Sequence, residues 1–414
     1  MTTPRRTWHL ATVEDDPDNG PPSNGWAFTA VANLDNGELL AASDYGGLWK
    51  SIDGGKTWAW FARMPLNCVS RPGTKLWSPE PGVAFMWGEA WNGFETTGGG
   101  LLRSTDAGAT WEVVFPASNV GGVAGLNVDQ GFCGFVKLSD TSYVAVGGTA
   151  GPLNEFGQRQ MLQAFRSNDR GLSWVGSFIA PNGDFPDDPT LSSNNTFVDL
   201  VKLDDDSLLA TFSYISGSSP LPPRVWRSID GGVTWAATGP FPDLPGGWMS
   251  TPGGIFALCN MGAGVVLATG GPSGLTDTFG QSNFWIWRSR DAGLTWTRIV
   301  NILNDWSGSS ALSNLAAGTA IIKMATSQAA IGAGYLAAPG MSPAWRMTAD
   351  NGDTFMAQMS TIDEPPADWS GDPGLWNGTA QFALTDVGAL IAAVGGHPAC
   401  NGPGSLWYTE GGSP

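Results

Sequence analysis

Five tryptophans, Trp91, Trp248, Trp306, Trp369 and Trp376, stand in Gly- and Pro-rich stretches between more regular segments. Carboxylates are scattered through similar stretches, among them Glu89, Glu95, Glu155, Asp277 and Asp305. Flat aromatic rings beside acids suit sugars, whose axial C–H faces stack on them. Two carboxylates facing each other across a cleft, one acid and one base or nucleophile, are what cleavage of a glycosidic bond requires. The same tryptophans could instead be packing anchors for loops poor in other apolar residues. Which elements would have to hold such groups is written elsewhere in the chain.

An eight-residue phrase occurs six times: Ser51–Trp58, Ser104–Trp111, Ser167–Trp174, Ser228–Trp235, Ser289–Trp296 and Thr348–Phe355. Its third residue is always Asp (Asp53, Asp106, Asp169, Asp230, Asp291, Asp350), and the copies stand about sixty residues apart. Asp-x-Gly at a tight reversal lets the carboxylate accept backbone N–H groups, while glycine supplies the positive φ. The aromatic that closes the phrase opens the next strand and anchors a small sheet. Before the phrase, Leu48-Trp49-Lys50-Ser51, Val225-Trp226-Arg227-Ser228 and Ile286-Trp287-Arg288-Ser289 repeat a strand, so each phrase is a hairpin between two strands.

Upstream, each unit offers two more strands. Trp26 to Ala32 and Glu38 to Ser43 flank the turn Asp35-Asn36-Gly37. Phe135–Leu138 with Tyr143–Val146, Phe197–Leu203 with Leu208–Phe212, Ile255–Leu258 with Val265–Thr269, and Ala320–Met324 with Ala329–Gly332 follow the same plan. Four strands per unit without helical periodicity predict an all-β propeller. Gln381–Leu384, Ala389–Val394 and Leu406–Thr409 begin a further unit that lacks its fourth strand, and Gly411 stands where the box Asp would be. Arg6-Thr7-Trp8-His9-Leu10-Ala11 aligns with Lys56-Thr57-Trp58-Ala59-Trp60-Phe61 and supplies the missing piece. The expectation is one domain over 1–414, a seven-bladed β-propeller of four-stranded blades, its last blade built from about 377–414 plus 5–13. Closure by the N-terminal strand would leave no open sheet edge.

The phrase resembles the Asp-box, or BNR repeat, of the sialidase-like and xyloglucanase-like propellers. In that family it joins the third and fourth strands of a blade as a structural staple, so the resemblance removes the six box aspartates from catalysis. Ala42-Ser43-Asp44-Tyr45-Gly46-Gly47-Leu48-Trp49 is similar to the Asp-Ile/Val-Gly-Gly stretch that carries a catalytic aspartate in xyloglucan-hydrolysing propellers. The resemblance implies Asp44 as catalytic; a partner would have to come from this same ring, from Glu89, Glu95, Glu155, Asp277 or Asp305, of which Glu89 and Asp277 are taken first. Tyr45 joins Trp91, Trp248, Trp306, Trp369 and Trp376 as substrate-binding. Those enzymes place their second acid on a second propeller, which is not present here. Sialidases share the box but are six-bladed, with an arginine triad and a Tyr nucleophile. Here Arg63-Met64-Pro65 follows the first box, while Arg103, Arg166, Arg227, Arg288 and Arg346 fall at repeat positions, so sialidase activity is not expected. A seven-bladed photosystem assembly factor is compatible with the same repeat.

Composition narrows the partners. With 20 basic and 37 acidic residues the net charge is −17, which disfavours nucleic acid and anionic membrane surfaces. No run of apolar residues is long enough to span a bilayer. The N-terminus has no apolar signal core, and an extracellular or virion-associated setting is expected over a resident cytoplasmic one. The 58 Gly and 29 Pro suit a chain of turns, and 42% hydrophobic residues suffice for a core. Cys133 and Cys259 read as buried free thiols, whereas a bridge between Cys68 and Cys400 stays open. No Cys or His pair has zinc spacing, and no cofactor is expected. Glu14–Gly20 matches a calcium loop only in part and reads as a solvated loop. Two classes follow: a glycoside hydrolase acting within a polysaccharide, or a non-catalytic propeller binding a surface glycan or a protein partner, such as a phage tail or cell-surface recognition module. Either would work from the face opposite the boxes, where the long loops gather.

Overall fold

The structure is a computed structural model. It describes residues 6–18, 20, 28–43, 46–64, 68–69, 75–91, 96–116, 132–148, 162–178, 196–214, 225–242, 253–272, 285–301, 319–333, 335–336, 344–353, 356–358, 376–396 and 405–410. The fold is all-β: seven four-stranded blades of a β-propeller, with no helix among the described residues. None of the described segments is a helix long and apolar enough to cross a membrane.

Each of the first six blades is an antiparallel meander whose third strand leads into the repeated hairpin. In the first blade the strands are Phe28–Asn33, Leu39–Ser43, Gly47–Ser51 and Thr57–Arg63. The third blade runs Phe132–Lys137, Tyr143–Gly148, Leu162–Ser167 and Val175–Phe178. Inner strands extend beyond their expected ends, as in Gly253–Gly262 with Val265–Pro272. The chain groups into two compact units, Met1–Val113 with Gly318–Pro414, and Val114–Ala317.

In the first unit the last blade consists of Trp376–Leu384, Leu390–Gly396, Ser405–Thr409 and, as its outer strand, Trp8–Leu10. Trp8 pairs with Thr409 and Leu10 with Trp407, as the half-repeats predict. Trp8 is 1% exposed, so the completing strand is anchored by a large buried ring. The segment divides sooner than expected. Ala11 still donates to the Leu406 carbonyl, but Thr12 donates to Lys56, and Thr12–Val13 lies parallel to Thr57–Arg63 of the first blade. One short stretch thus ties the outer edges of two blades.

The core lies between blades. Ala30, Leu40, Ala42 and Leu48 of the first blade pack with Ala84, Met86 and Leu102 of the second. On their other side Val31, Leu39, Ala41 and Trp49 pack with Ile391, Ala393 and Leu406 of the last. In the second unit Val144, Val146 and Ala164 meet Leu208, Ala210 and Trp226, and a similar layer joins Leu209 and Val225 to Val266, Ala268 and Trp287. The inner strands therefore bury both faces, which is why they are runs of small and branched apolar residues without polar alternation.

Candidate functional site

Carboxylates consumed by the repeat come first, because they are the most numerous. In the first box Ser51 Oγ donates to Asp53 Oδ1 at 2.8 Å and accepts from Gly55 N at 2.9 Å. Thr57 Oγ1 donates to Asp53 Oδ2 at 2.6 Å, and the Lys56 and Thr57 amides donate to Oδ1 at 3.0 Å. Trp58 Nε1 then caps the Gly55 carbonyl at 3.0 Å. Bonds from Thr110 hold the Asp106 carboxyl at about 2, and a bond from the Ser173 hydroxyl does the same for Asp169. Burial pushes Asp230 up, yet the bonds from Thr234 outweigh it and leave that carboxyl also at about 2. A carboxylate saturated in this way is neither a proton donor near neutral pH nor a free nucleophile.

The repeat tolerates different residues after the Asp but always places Gly next. The fourth position has positive φ whether it is Gly54, Ala107, Arg170, Gly231, Ala292 or Asn351. The fifth has positive φ as well, and there a Cβ would press into the neighbouring blade. At Gly55 it would lie 2.3 Å from Ile391 Cδ1, and at Gly293 2.5 Å from Leu209 Cδ1. The obligatory glycine is therefore a packing requirement added to a conformational one.

At the other end of the first blade the connection between Leu39–Ser43 and Gly47–Ser51 brackets Asp44 and Tyr45, which lie outside the described residues. Its frame is firmly held. Gly46 N donates to the Ser43 carbonyl at 3.1 Å, Gly47 N to Ser43 Oγ at 3.2 Å, and Met64 N to the Gly46 carbonyl at 2.8 Å. Ser43 is fully buried.

Arg63, which pairs with Gly47 across the strands, carries a cluster that the sequence did not announce. Its guanidinium takes both oxygens of Asp16 at 2.6 and 2.9 Å and Asp18 Oδ2 at 2.7 Å, with the Trp60 ring 5.0 Å away. Asp16 is 1% exposed, and its amide and carbonyl both bond to Gly20. The acidic stretch is solvated as expected at Glu14, Asp15, Pro17 and Asp18, but Asp16 is turned inward to neutralise Arg63. Glu14 reinforces it, its carbonyl accepting from Trp49 Nε1 and its side chain from Trp60 N, both at 2.9 Å. Among the described residues no group of His, Cys, Asp or Glu could hold a metal ion.

The remaining expected site residues are placed as follows. Glu89 and Trp91 are not loop residues but the end of a strand, Val83–Trp91. Glu89 pairs with Gly99 and Trp91 with Thr96 of the strand Thr96–Ser104. Trp376 opens the strand Trp376–Leu384 and pairs with Leu336. Asp277, Trp248, Trp306 and Trp369, like Glu95, Glu155 and Asp305, lie outside the described residues. Cys133 and Cys259 are buried and take part in no disulfide, as expected. Cys400 lies outside the described residues.

No protein-family model matches the chain. A curated xyloglucanase from Paenibacillus sp is 26% identical over 327 residues, covering 63% of this chain and 30% of that enzyme. The chain thus spans under a third of the length of that relative. Among solved structures, YCF48 bound to D1 peptide superposes with a TM-score of 0.52 at 11% identity, covering 99% of this chain and 98% of that one. The GH74 xyloglucanase from Xanthomonas campestris gives a TM-score of 0.42 at 15% identity, covering 94% and 72%. The likeness to YCF48 speaks to the β-propeller fold alone. A glycoside hydrolase is thus among the chain's sequence relatives.

Proposed function

We propose that this chain is a carbohydrate-active propeller, a glycoside hydrolase acting within a polysaccharide. The observation that carries the reading is the sequence likeness to a xyloglucanase, extending over 63% of this chain. Asp44 is the first carboxylate, and Glu89 or Asp277 is its partner on the same propeller. Ser43 and Gly46, which flank Asp44 and Tyr45 in the chain, are fixed by bonds to Gly47 and Met64, so the two ends of the connection that carries the acid are anchored. Tyr45, Trp91, Trp248, Trp306, Trp369 and Trp376 would supply platforms for successive sugar rings. A partner about 5–5.5 Å away would make the reaction retaining, and one about 6.5–9.5 Å away inverting.

The test is a reducing-end assay on xyloglucan and related β-glucans with the wild type and Asp44→Asn. Removing a general acid or base is expected to lower the rate by about 10²–10⁴-fold. Undiminished hydrolysis in the variant would sink the Asp44 assignment. Saturable glycan binding by the wild type without any new reducing ends would instead identify a binding module.

A further inference from the structure

One residue before the box Ser, the third strand of the first four blades carries a cation: Lys50, Arg103, Arg166 and Arg227. Three of these have a carboxylate. Lys50 Nζ lies 3.1 Å from Glu38 Oε2, Arg103 Nη1 2.7 Å from Glu112 Oε1, and Arg227 Nη2 2.9 Å from Asp205 Oδ2. Arg166 of the third blade has none. Its Nε is buried without an acceptor, as are those of Arg103 and Arg227, but unlike theirs the rest of its guanidinium pairs with no described residue. The cause is local. Val175, which follows the box Trp174 and faces Arg166 across the strands, stands where the second blade has Glu112. Asp140 lies on the hairpin corresponding to the one that presents Asp205 in the fourth blade, but it is engaged by Lys137 at 3.2 Å.

Arg166 is also not packed away. With Asn168, Ser173, Val175, Gly176 and Val233 it lines a cavity of about 460 Å³ between the outer strand of the third blade and the box of the fourth. Val175 is 74% exposed and Val233 45%. Asp169 is the carboxylate in this wall, and its oxygens already accept from Ser167 Oγ at 2.7 Å, from Ser173 N at 2.9 Å and from Ser173 Oγ. Ser142 Oγ donates to Asn168 Oδ1 at 3.2 Å, which leaves the Asn168 amide NH₂ as a donor. Arginine keeps its charge at any physiological pH, and a half-buried guanidinium without a counter-charge is costly.

We infer that this cavity binds a carboxylate carried on a sugar ring, a uronate unit. The guanidinium takes the carboxylate in the bidentate geometry that arginine favours. The Asn168 amide donates to one ring hydroxyl, the Ser173 oxygen accepts from another, and the Val175 and Val233 methyls over Gly176 meet the C–H face. An acidic peptide side chain would satisfy Arg166 but leave Asn168 and Ser173 unmet. The site shares no residue with the proposed hydrolytic carboxylates, and it stands whether or not that activity exists.

The test uses the full chain and methyl β-glucuronide, followed by ligand-observed NMR, with methyl β-glucoside and glutamate as comparisons. Saturable glucuronide binding is expected, with both comparison ligands weaker by roughly tenfold or more, the worth of a charged hydrogen-bonded pair. Arg166→Gln should abolish glucuronide binding. Val175→Glu should abolish it too, by installing the internal carboxylate that Glu112 supplies in the second blade, and its melting temperature should not fall. The inference is overturned if glucuronide does not saturate, if glucoside or glutamate binds as tightly, or if either folded variant binds glucuronide like the wild type.

Discussion

The strand Gly47–Ser51 has a turn at each end, and the two turns are built alike up to a point. In both, a buried serine hydroxyl accepts the amide four residues on: Ser43 Oγ from Gly47 N, and Ser51 Oγ from Gly55 N. At the box end a carboxylate two residues after the serine completes the clamp. Asp53 gathers the Ser51 hydroxyl, the Thr57 hydroxyl and two backbone amides. At the other end Gly46 N donates to the Ser43 carbonyl, and Met64 N donates to the Gly46 carbonyl from the adjacent strand. The lesson is that an acid in a tight turn should be judged by whether the turn needs it. By that measure the box aspartates belong to the scaffold, and the proposed role of Asp44 can be tested by asking whether its turn survives without the acid.

The comparison can be broken at several points. The largest effect is expected on the rate, where Asp44→Asn should remove hydrolysis by about 10²–10⁴-fold while denaturant midpoints stay near wild type. A large loss of stability in this variant would mean that the turn does use the acid. Next in size is Gly55→Ala. With φ at 90° and a Cβ 2.3 Å from Ile391 Cδ1, it should cost about 3 kcal/mol or more in urea unfolding. Gly54→Ala, with φ at 77° and open space around it, should cost only about 1 kcal/mol. Equal costs would show that strain, and not the neighbouring blade, selects the glycine. Asp53→Ala should lower stability by about 1–2 kcal/mol and leave any hydrolysis per folded molecule unchanged.

The smallest effect is a pH dependence. The carboxyls of Asp106, Asp169 and Asp230 sit at about 2 when folded, against an ordinary value of 3.8. A folded pKa below the unfolded one adds stability that is fully present above about pH 4 and fades as pH falls through about 2. Thermal unfolding followed across that window should show a falling melting temperature. Replacing box aspartates by Asn should flatten the slope. A profile as steep in such variants would move the acid sensitivity elsewhere.

Much of this was legible from residue order, because a turn repeated six times exposes both its own geometry and the strands it must join. The half-repeats at Trp8 and Trp407 were enough to anticipate the completed last blade. What escaped had partners outside the repeat. The Arg63–Asp16 pair joins residues 47 positions apart through a crossing segment, with no local pattern to betray it. Glu89 and Trp91 looked like loop because Gly98, Gly99 and Gly100 follow closely, and glycine is rare in strands. Yet those glycines pair with Ala90, Glu89 and Gly88 beyond a bulge. Trp376 extends its strand only by pairing with Leu336 of the preceding blade, which a within-blade pattern cannot show. The fifth box position looked like a turn requirement alone, since Ile391 and Leu209 are contributed by other blades. Asp44 and Tyr45 were found by likeness to a short motif; nothing in periodicity singles them out.

The outer strand of the last blade has a kinetic consequence. Arg6 donates to Thr409 across 403 positions of sequence, so this sheet cannot be finished until Thr409 has emerged from the ribosome. Blades made entirely of neighbouring sequence can assemble during synthesis, while Trp8 waits in water and the strand Ser405–Thr409 has yet to emerge. Contacts of such long range slow folding, and the interval leaves an unpaired edge open to a second molecule's N-terminal strand. Dilute, slow synthesis should therefore favour monomers. Refolding at high concentration should yield species in which one chain's first strand completes another chain's last blade.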